Sequence, residues 1–373
     1  MIKILHIVST ISQSSGVMNF IMNYYRNLDN KKLVFDFLYF RDVDNNFKEE
    51  IEQLGGNVIK IGMPKLTITF IKQVNNFFKK NGKKYTAIHC HPIFSFIIFS
   101  MFARKFGIKN IIQHSHTLKF SNKKLSAIRN RLIMLFSSSQ ITHYVACSLE
   151  ATKVFNKKDI RKKGCLILNN AIDVEKYEFN KYILKKTRNN LGILPTTKVI
   201  GHIGRFSSEK NHDILLDIFF MYNKIIDDTK LLLIGEGLLE EQIRQKVLKL
   251  NLKEKVIFCG FRNDIPELLS AMDYFILPSD FEGFGIVALE AQASGLLTIC
   301  SQGVPDCAII SNETFKFNVY DKNELELIVK KLIKYNSYKR KNNSELISKA
   351  GYNIKIEAKK MEKFYLGLEG SEK

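Results

Sequence analysis

Short apolar runs alternate with longer segments of mixed apolar and polar residues along most of the chain. Residues 2–8, residues 33–40 and Tyr274–Leu277 are rich in β-branched, aromatic and leucine side chains, which predicts strands buried on both faces. Many such runs are followed by apolar residues at helical spacing, as in residues 213–226. This alternation is typical of parallel sheets covered by helices, so we predict an α/β fold.

The strand–helix series occurs twice. The first series fills residues 1–180, and the second begins at the predicted strand Lys198–Ile203 and extends to residue 349. The polar stretch 181–197 lies between them and predicts a linker. Two series of this length predict two Rossmann-like, doubly wound domains, followed by a helical segment at about 350–373.

Composition places the chain among ordinary globular proteins. It has 373 residues, of which 45% are hydrophobic and 25% charged, which excludes disordered and collagen-like proteins. The longest apolar run, residues 92–103, contains two serines and is too short for a hydrocarbon core of about 30 Å. The first ten residues lack a cleavage site, so we expect a strand rather than a signal peptide. The six cysteines include no C-x-x-C pair, and we expect reduced thiols in a cytoplasmic protein.

The charge of the chain is divided unequally. The formal net charge is +20, but residues 1–200 hold 33 Lys and Arg against 12 Asp and Glu, whereas residues 201–373 hold 24 against 25. The basic half could face nucleic acid, an anionic membrane or a substrate carrying a diphosphate. A lysine-rich, solvated surface could also supply part of the excess.

Ligands of doubly wound domains bind in the loops that follow the carboxyl ends of the strands. The loop at residues 12–17 (S-Q-S-S-G-V) opens a helix and can hold an anion with backbone N–H groups, but it lacks the dinucleotide and P-loop patterns. The loop after Lys198–Ile203 carries Arg205 and Lys210, two cations that could bind two linked phosphates. A solvated loop with incidental charge is the alternative for this segment.

The segment 277–295 (L-P-S-D-F-E-G-F-G-I-V-A-L-E-A-Q-A-S-G) is the most informative part of the chain. A strand ends at Leu277, and a helix then runs until Gly295. Glu282 lies in the loop, and Glu290 lies among small apolar residues, where a carboxylate needs hydrogen-bond donors such as sugar hydroxyls. The start of the helix offers free N–H groups to a phosphate.

Several histidines fall at predicted strand ends of the first half, namely His89, His91, His114, His116 and His143. They include ligand types that zinc prefers, but no standard spacing of zinc ligands occurs. We therefore expect no metal site, and we expect a histidine that hydrogen-bonds substrate instead.

Taken together, these motifs resemble the donor domain of glycosyltransferase family 4, retaining enzymes of the GT-B fold. The resemblance covers G-R-F-S-S-E-K at residues 204–210, G-E-G at 235–237, G-F-R-N-D-I-P-E-L-L at 260–269 and E-G-F-G-I-V-A-L-E at 282–290. The first half matches through its opening loop, through I-I-Q-H-S-H-T at 111–117, and through N-A-I-D at 170–173, where Ala171 replaces the glycine of the family motif. The fold implies two domains facing each other across a cleft, with the C-terminal helix packed on the first.

The resemblance also implies roles for individual residues. Arg205 and Lys210 would neutralise the donor diphosphate, and the backbone at Gly285 and Ile286 would bind its distal phosphate. Glu290 would bind the ribose and Glu282 the transferred sugar. The donor site would be completed by Gly204, Gly235, Phe261, Arg262, Gly283 and Phe284.

On the acceptor side, the resemblance implies a catalytic role for His116. It would contact the sugar and the charge that develops at the reacting centre, with Gly16 beneath it and with His114 and Ser15 nearby. Arg205, Lys210 and Glu282 would complete the catalytic set.

The implied activity is that of a hexosyltransferase-type enzyme. It would transfer a sugar from a nucleotide-diphosphate sugar, with uridine diphosphate as the expected carrier, to a glycan or a lipid-diphosphate-linked acceptor in surface polysaccharide synthesis. Neither a metal nor another cofactor is expected, and nor is nucleic-acid binding. The apolar and basic segments 68–84 and 94–105 suggest peripheral attachment to an anionic membrane. A sugar-nucleotide epimerase and a basic nucleic-acid-binding protein remain the alternatives.

Overall fold

The computed structural model describes residues 1–64, 67–117, 120 and 124–368, which form two compact units. The first unit comprises Met1–Ala171 and the segment that begins at Ile354, and the second comprises Ile172–Asn353. Each unit contains one sheet in which all pairs of named strands are parallel. The predicted α/β class with two Rossmann-like units is therefore confirmed.

The first unit has seven strands in the order β3-β2-β1-β4-β5-β6-β7. Its elements, numbered along the chain, are β1 (Ile2–Ile7), α1 (Gly16–Tyr25), β2 (Leu33–Tyr39), α2 (Lys48–Gln53), β3 (Val58–Lys60), α3 (Ile68–Asn81), β4 (Ala87–Cys90), α4 (Phe96–Lys105), β5 (Asn110–Ser115), α5 (Lys124–Ser137), β6 (His143–Ala146), α6 (Lys157–Lys163), β7 (Leu166–Ile167) and the last helix, α14 (Ile354–Gly367).

The second unit has six strands in the order β10-β9-β8-β11-β12-β13. Its elements are α7 (Lys181–Asn190), β8 (Lys198–Ile203), α8 (His212–Asn223), β9 (Thr229–Ile234), α9 (Glu240–Lys249), β10 (Val256–Gly260), α10 (Ile265–Ala271), β11 (Tyr274–Leu277), α11 (Ile286–Ala293), β12 (Leu297–Ser301), β13 (Thr314–Phe317), α12 (Lys322–Lys334) and α13 (Ser344–Lys349).

Burial explains why the strands are so apolar. All four residues of β11 are buried, because helices cover both faces of the sheet. In α14, the buried residues Ile354, Ala358, Met361 and Tyr365 recur at helical spacing and pack with the core residues of the first unit, including those of α1. The last helix therefore belongs to the first unit although it follows the second in sequence.

The stretch 181–197, predicted as a linker, contains α7 and belongs to the second unit. The side chain of Asn180 caps this helix by accepting hydrogen bonds from Tyr182 and Ile183. Arg188 is buried and pairs with Asp273 at 2.8 Å, while its guanidinium also donates to the carbonyls of Ala271 and Thr197. A polar stretch is thus fixed by an internal ion pair, and the units meet in sequence at residue 171 rather than 180.

Each sheet has one topological switch point, where neighbouring strands are followed by connections in opposite directions. It lies between β1 and β4 in the first unit and between β8 and β11 in the second. Within the described residues, no helix is both long and apolar enough to cross a lipid bilayer.

Candidate functional site

The switch point of the second unit brings together the loops after β8 and β11. The amide of Asp280 donates to the carbonyl of Glu209 at 2.8 Å. The side chain of Asn211, a residue in the left-handed conformation with φ 51°, donates to the carbonyl of Pro278 at 3.0 Å and to Asp280 Oδ1 at 2.6 Å. The two loops therefore form one surface at the carboxyl edge of the sheet.

Two cations lie on the β8 side of this surface. Arg205 is exposed and forms no ion pair with any residue that the structure describes. Lys210 is different, because only 18% of its side chain is exposed and its Nζ donates to Glu282 Oε1 at 2.5 Å. Ser279 Oγ donates to the same oxygen at 2.7 Å. Lys210 and Glu282, predicted to act together, are thus in direct contact.

The geometry of Glu282 leaves one of its oxygens available. Both hydrogen bonds, from Lys210 and from Ser279, are accepted by Oε1. Oε2 forms no hydrogen bond to a described residue and can accept from a ligand hydroxyl. The pair therefore provides a cation for an anion and an acceptor for a hydroxyl next to each other.

Helix α11 begins beside this pair. Its N-cap residue, Gly285, is in the left-handed conformation with φ +83°, and no side chain caps the helix. The first N–H groups, at Ile286 and Val287, therefore have no intrahelical acceptor and suit an anion. Gly283 is exposed, whereas Phe284 is buried at 8% exposure and packs on Tyr352. Because the Phe284 side chain is in the core, only its backbone can face a ligand.

Glu290 lies one turn further along α11. It is partly buried and accepts a hydrogen bond from Tyr177 Oη at 2.8 Å. Burial raises the pKa of this carboxyl to about 7, although the bond from Tyr177 and the charge of Lys176 act in the opposite direction. A carboxyl group with few protein donors is poised to accept further hydrogen bonds from hydroxyl groups.

This raised pKa predicts a pH-dependent stability difference between the wild type and Glu290→Gln. The folded state prefers the neutral carboxyl, so ionisation of Glu290 lowers the free energy of unfolding as the pH rises from about 5 to 8. We expect the melting temperature of the variant, relative to wild type, to increase over this range. Thermal unfolding of both proteins at each pH measures this difference in melting temperature.

The control Glu326→Gln changes an exposed carboxylate, and its melting temperature should follow that of wild type at every pH. A melting-temperature difference between Glu290→Gln and wild type that does not change with pH would contradict the burial of Glu290.

The predicted glycines Gly204 and Gly235 allow two loops to approach each other. A Cβ at Gly235, where φ is +132°, would lie 2.2 Å from the carbonyl oxygen of Gly204. A Cβ at Gly204 would lie 2.8 Å from His202 Nε2 and 3.4 Å from Lys210 Cδ. Their role in this structure is therefore the packing of the β8 and β9 loops that positions Lys210.

Phe261 and Arg262 follow β10, two strands away from β8. Phe261 is 41% exposed, and its amide donates to Glu236 Oε1 at 3.2 Å. Arg262 is held by a bidentate pair with Asp264, including Nε to Oδ1 at 2.7 Å. Both residues lie at the same edge of the sheet as the Lys210–Glu282 pair, with an exposed aromatic face available.

In the first unit, Ser15 and Gly16 begin α1. Ser15 is the N-cap, and its side chain accepts from the amide of Met18 at 3.4 Å. A Cβ at Gly16 would meet no atom within 4 Å, so this glycine borders open space. The start of α1 can therefore be approached by a ligand.

The structure brings the predicted residues His114 and His116 together with three other histidines at the switch point of this unit. These are His6 on β1, and His89 on β4 followed by His91. Burial lowers the pKa of all five imidazoles, that of His116 to about 3, so they are neutral near pH 7. His143 lies apart and bonds to Thr142.

Several contacts of the site are not predicted from the sequence. Tyr177 donates a hydrogen bond to Glu290, and Ser279 donates one to Glu282. Asn211 holds the β8 loop to the β11 loop through the carbonyl of Pro278. Asn211 follows directly after Lys210, and asparagine favours the left-handed conformation, which is the one local signal for its role. The contact of His6 with His91 joins residues 85 positions apart and has no local signal.

Comparison with known proteins gives three findings on the sequence. Residues 185–353 match the family model described as glycosyl transferases group 1. The putative glycosyltransferase EpsF of Bacillus subtilis is 30% identical over 313 residues, which cover 82% of this chain and 80% of that protein. An Escherichia coli enzyme named UDP-Gal:alpha-D-GlcNAc-diphosphoundecaprenol alpha-1,3-galactosyltransferase is 26% identical over 260 residues, or 68% of this chain and 66% of that one.

Among solved structures, HepE of Anabaena in complex with UDP and glucose is similar over nearly the whole chain. The TM-score is 0.78 at 19% identity, and the match covers 98% of this chain and all of HepE. At that identity the likeness concerns the fold.

Proposed function

Because this chain belongs to the group 1 glycosyl transferases, we propose that it transfers a hexose from a uridine-diphosphate sugar to a lipid-diphosphate-linked glycan. The chain is a glycosyltransferase of glycan biosynthesis, and the donor and the acceptor are the proposed part. The E. coli relative carries both UDP-Gal and a diphosphoundecaprenol acceptor in its name. HepE, which shares the fold, binds UDP and glucose. We propose surface polysaccharide as the product, and a location at the inner face of the cell membrane.

The observation that carries this proposal is the arrangement at the switch point of the second unit. Lys210, Arg205 and the uncapped end of α11 offer positive charge, and Glu282 lies in contact with Lys210. A sugar diphosphate has the complementary order, with two anionic groups followed by hydroxyls. Donors aimed at the phosphates stabilise the charge that grows on the leaving diphosphate, which is the main requirement of glycosyl transfer.

We propose transfer with retention and without a covalent enzyme intermediate. The bond between the anomeric carbon and the phosphate oxygen breaks, the acceptor oxygen bonds to the same face of that carbon, and the acceptor proton passes to the leaving phosphate. The two side-chain cations and the helix end supply the charge that a metal would otherwise provide, so the proposal includes no cofactor. His116 keeps its predicted role towards the sugar.

A binding screen tests the donor class directly. We expect UDP-sugars to raise the melting temperature of the protein by mass action, and sugars without a nucleotide to leave it unchanged. Turnover of the donor should depend on a lipid-diphosphate acceptor. Conversion of the UDP-sugar to its epimer without an acceptor would instead favour an epimerase, and stabilisation by no nucleotide sugar would contradict the proposal.

The proposed lipid acceptor requires a membrane-facing surface, and helix α5 provides one in the first unit. The helix buries Asn130, Met134 and Ser137 but exposes five apolar side chains, between 49% and 84% of each, namely Leu125, Ile128, Leu132, Leu135 and Phe136. The exposed cations Lys124, Arg129 and Arg131 lie on the same helix. Apolar side chains with flanking cations are typical of attachment to an anionic bilayer.

The structure limits which side chains of the predicted membrane segments are available to a bilayer. In residues 68–84, the side chains of Phe70, Val74 and Phe78 are buried in the core, and in residues 94–105 those of Phe96 and Phe99 are buried. These phenylalanines cannot enter a membrane while the unit is folded. The large apolar side chains of these segments that are exposed are Ile68 at 73% and Ile71 at 37% in α3 and Met101 at 55% in α4, so α5 has the larger exposed apolar surface.

We expect the triple variant Ile128→Ser, Leu132→Ser, Phe136→Ser to bind anionic vesicles at least tenfold more weakly than wild type. Each large apolar side chain contributes roughly 1.5–3 kcal/mol when fully buried, and three are lost. Sedimentation with phosphatidylglycerol vesicles at several salt concentrations measures the affinity of each protein for the vesicles. The matched control, Leu238→Ser, Leu327→Ser and Leu346→Ser, removes exposed leucines of the second unit and should bind as wild type. Equal binding of both triple variants, or binding independent of salt, would contradict this surface.

A further inference from the structure

Five imidazoles in the first unit form two hydrogen-bonded rows. In one row, His6 Nδ1 lies 3.0 Å from His91 Nε2, and His91 Nδ1 lies 2.7 Å from His116 Nε2. In the other, Tyr365 Oη lies 2.5 Å from His89 Nδ1, and His89 Nε2 lies 3.1 Å from His114 Nδ1. The rows stack on each other, with 4.7 Å between the rings of His89 and His91 and 3.9 Å between those of His114 and His116.

The geometry within the rows is that of hydrogen bonds. Bonded rings are close to coplanar, with interplanar angles of 16° to 29° and centroids 5.0–5.3 Å apart. Two imidazoles joined by an in-plane N–H···N bond have centroids about 5.2 Å apart. Ring nitrogens bound to one tetrahedral zinc would be separated by about 3.3 Å, wider than the observed pairs. The nitrogens of His91, His114 and His116 lie within 4.8 Å of one another, so zinc binding is the competing explanation to be tested.

The row that starts at Tyr365 has a defined direction. Tyr365 is fully buried, burial raises its pKa, and among the described residues its hydroxyl bonds only to His89. Either direction of the row leaves one donor unpaired, the Tyr365 O–H or the His114 Nε2–H. Because a phenol O–H is a stronger donor than an imidazole N–H, and an imidazole nitrogen is a stronger acceptor than a phenol oxygen, the hydroxyl donates to His89 Nδ1. A neutral imidazole has one N–H, so His89 donates from Nε2 to His114 Nδ1. The proton of His114 is then on Nε2, which is buried without a partner in the described part of the chain.

The other row ends at His6, which is completely buried. Its Nε2 has no hydrogen-bond partner among the described residues. An unpaired acceptor is less costly to bury than an unpaired N–H donor, so the His6 proton is on Nδ1 and is donated to His91. His91 then donates from Nδ1 to His116 Nε2, and His116 carries its proton on Nδ1.

We propose that these rows fix the tautomers of two functional histidines, with the proton of His114 on Nε2 and that of His116 on Nδ1. Tyr365 and His89 are then positioning residues for His114. His6 and His91 are positioning residues for His116. Tyr365 of α14 thereby determines which nitrogen of His114 can donate a hydrogen bond. The tautomers do not depend on the proposed function, but their effect on turnover does.

Nuclear magnetic resonance of the full-length protein with ¹⁵N-labelled histidine rings tests the tautomers at pH 7.5. In wild type we expect the Nε2–H pattern for His114 and the Nδ1–H pattern for His116. Tyr365→Phe keeps the ring and removes the donor, so His89 and His114 should sample both tautomers while His116 is unchanged. His6→Leu should change His116 and leave His114 as in wild type, which makes each variant the control for the other.

Some results would overturn the proposal. One is the Nδ1–H pattern for His114 in the wild-type protein. This result does not depend on the folding of any variant. Another is an unchanged His114 pattern in folded Tyr365→Phe. A third is one equivalent of zinc that stays bound through purification and is lost in His91→Phe, measured by elemental analysis, since the nitrogens would then be ligands.

A kinetic comparison tests the effect on the reaction. If the proposed function holds, Tyr365→Phe should lower kcat about tenfold with little change in the donor KM, because a misplaced proton affects the reacting complex rather than ground-state binding. Altered tautomers with unchanged kcat would overturn the positioning role. Absence of any transferase activity in wild type would contradict the proposed function and leave the tautomer result standing.

Discussion

Lys210→Ala is expected to lower kcat by about 100- to 1,000-fold while the second unit stays folded. Lys210 is the less exposed of the two cations at the switch point. In other enzymes, removal of one preorganised donor that stabilises the transition state lowers kcat by about 100- to 1,000-fold. The affinity for UDP should fall as well, since we assign the lysine to the diphosphate of both the substrate and the product. Steady-state kinetics and calorimetric titration with UDP measure the two effects.

Lys246→Ala is the matched control for this substitution. Lys246 is a lysine of the same unit, partly exposed, and paired with Asp217 at 2.7 Å on the α8–α9 surface. It should retain wild-type kinetics. Near-normal turnover of Lys210→Ala with an intact melting transition would refute the assignment of Lys210 to the diphosphate.

Glu282→Ala is expected to reduce kcat/KM for the UDP-sugar by about 100-fold and to leave UDP binding unchanged or tighter. The substitution removes the acceptor that we assign to the sugar hydroxyls, and it also releases Lys210 from its ion pair. The released cation is then free for the phosphates. UDP affinity should therefore fall in Lys210→Ala but stay unchanged or rise in Glu282→Ala, which separates a phosphate contact from a sugar contact.

Glu313→Ala provides a control with the same local chemistry. Glu313 also accepts hydrogen bonds from a serine and a lysine, Ser311 Oγ at 2.8 Å and Lys341 Nζ at 2.9 Å, but it directly precedes β13, at the opposite edge of the sheet from the switch-point loops. Loss of activity in this variant would indicate a general effect on stability. Weaker UDP binding in Glu282→Ala would place Glu282 among the phosphate contacts and contradict the assignment to the sugar.

Much of the secondary structure of the second unit can be predicted from the local sequence. The apolar strand Tyr274–Leu277 is predicted at the residues where it is observed, and so is a helix between this strand and Gly295. The adjacency of Lys210 and Glu282 follows indirectly, because strands that end at one switch point bring their loops together. The GT-B fold class and the glycosyltransferase family, suggested by the motifs around these residues, are confirmed by the comparisons.

What the sequence does not predict depends on contacts between distant residues. The polar segment 181–197 forms α7 in the second unit because Arg188 finds Asp273, 85 positions away. In the basic segments of the first half, Phe70, Phe78, Phe96 and Phe99 are buried in the core, so apolar content alone does not show which side chains could contact a membrane. The histidine rows connect β1, β4, β5 and α14, which are far apart in sequence. The alternation of side chains along a strand explains only why His89 and His91 share one face, and why His114 and His116 do.

A crystal structure of the protein with UDP tests the central claim most directly. We expect the pyrophosphate at the start of α11, with its oxygens about 2.7–3.1 Å from the amides near Gly285 and Ile286 and from the side chains of Lys210 and Arg205. The ribose hydroxyls should then reach Glu290. A pyrophosphate bound away from these groups, for example at the start of α1, would contradict the assignment of this switch point to the donor.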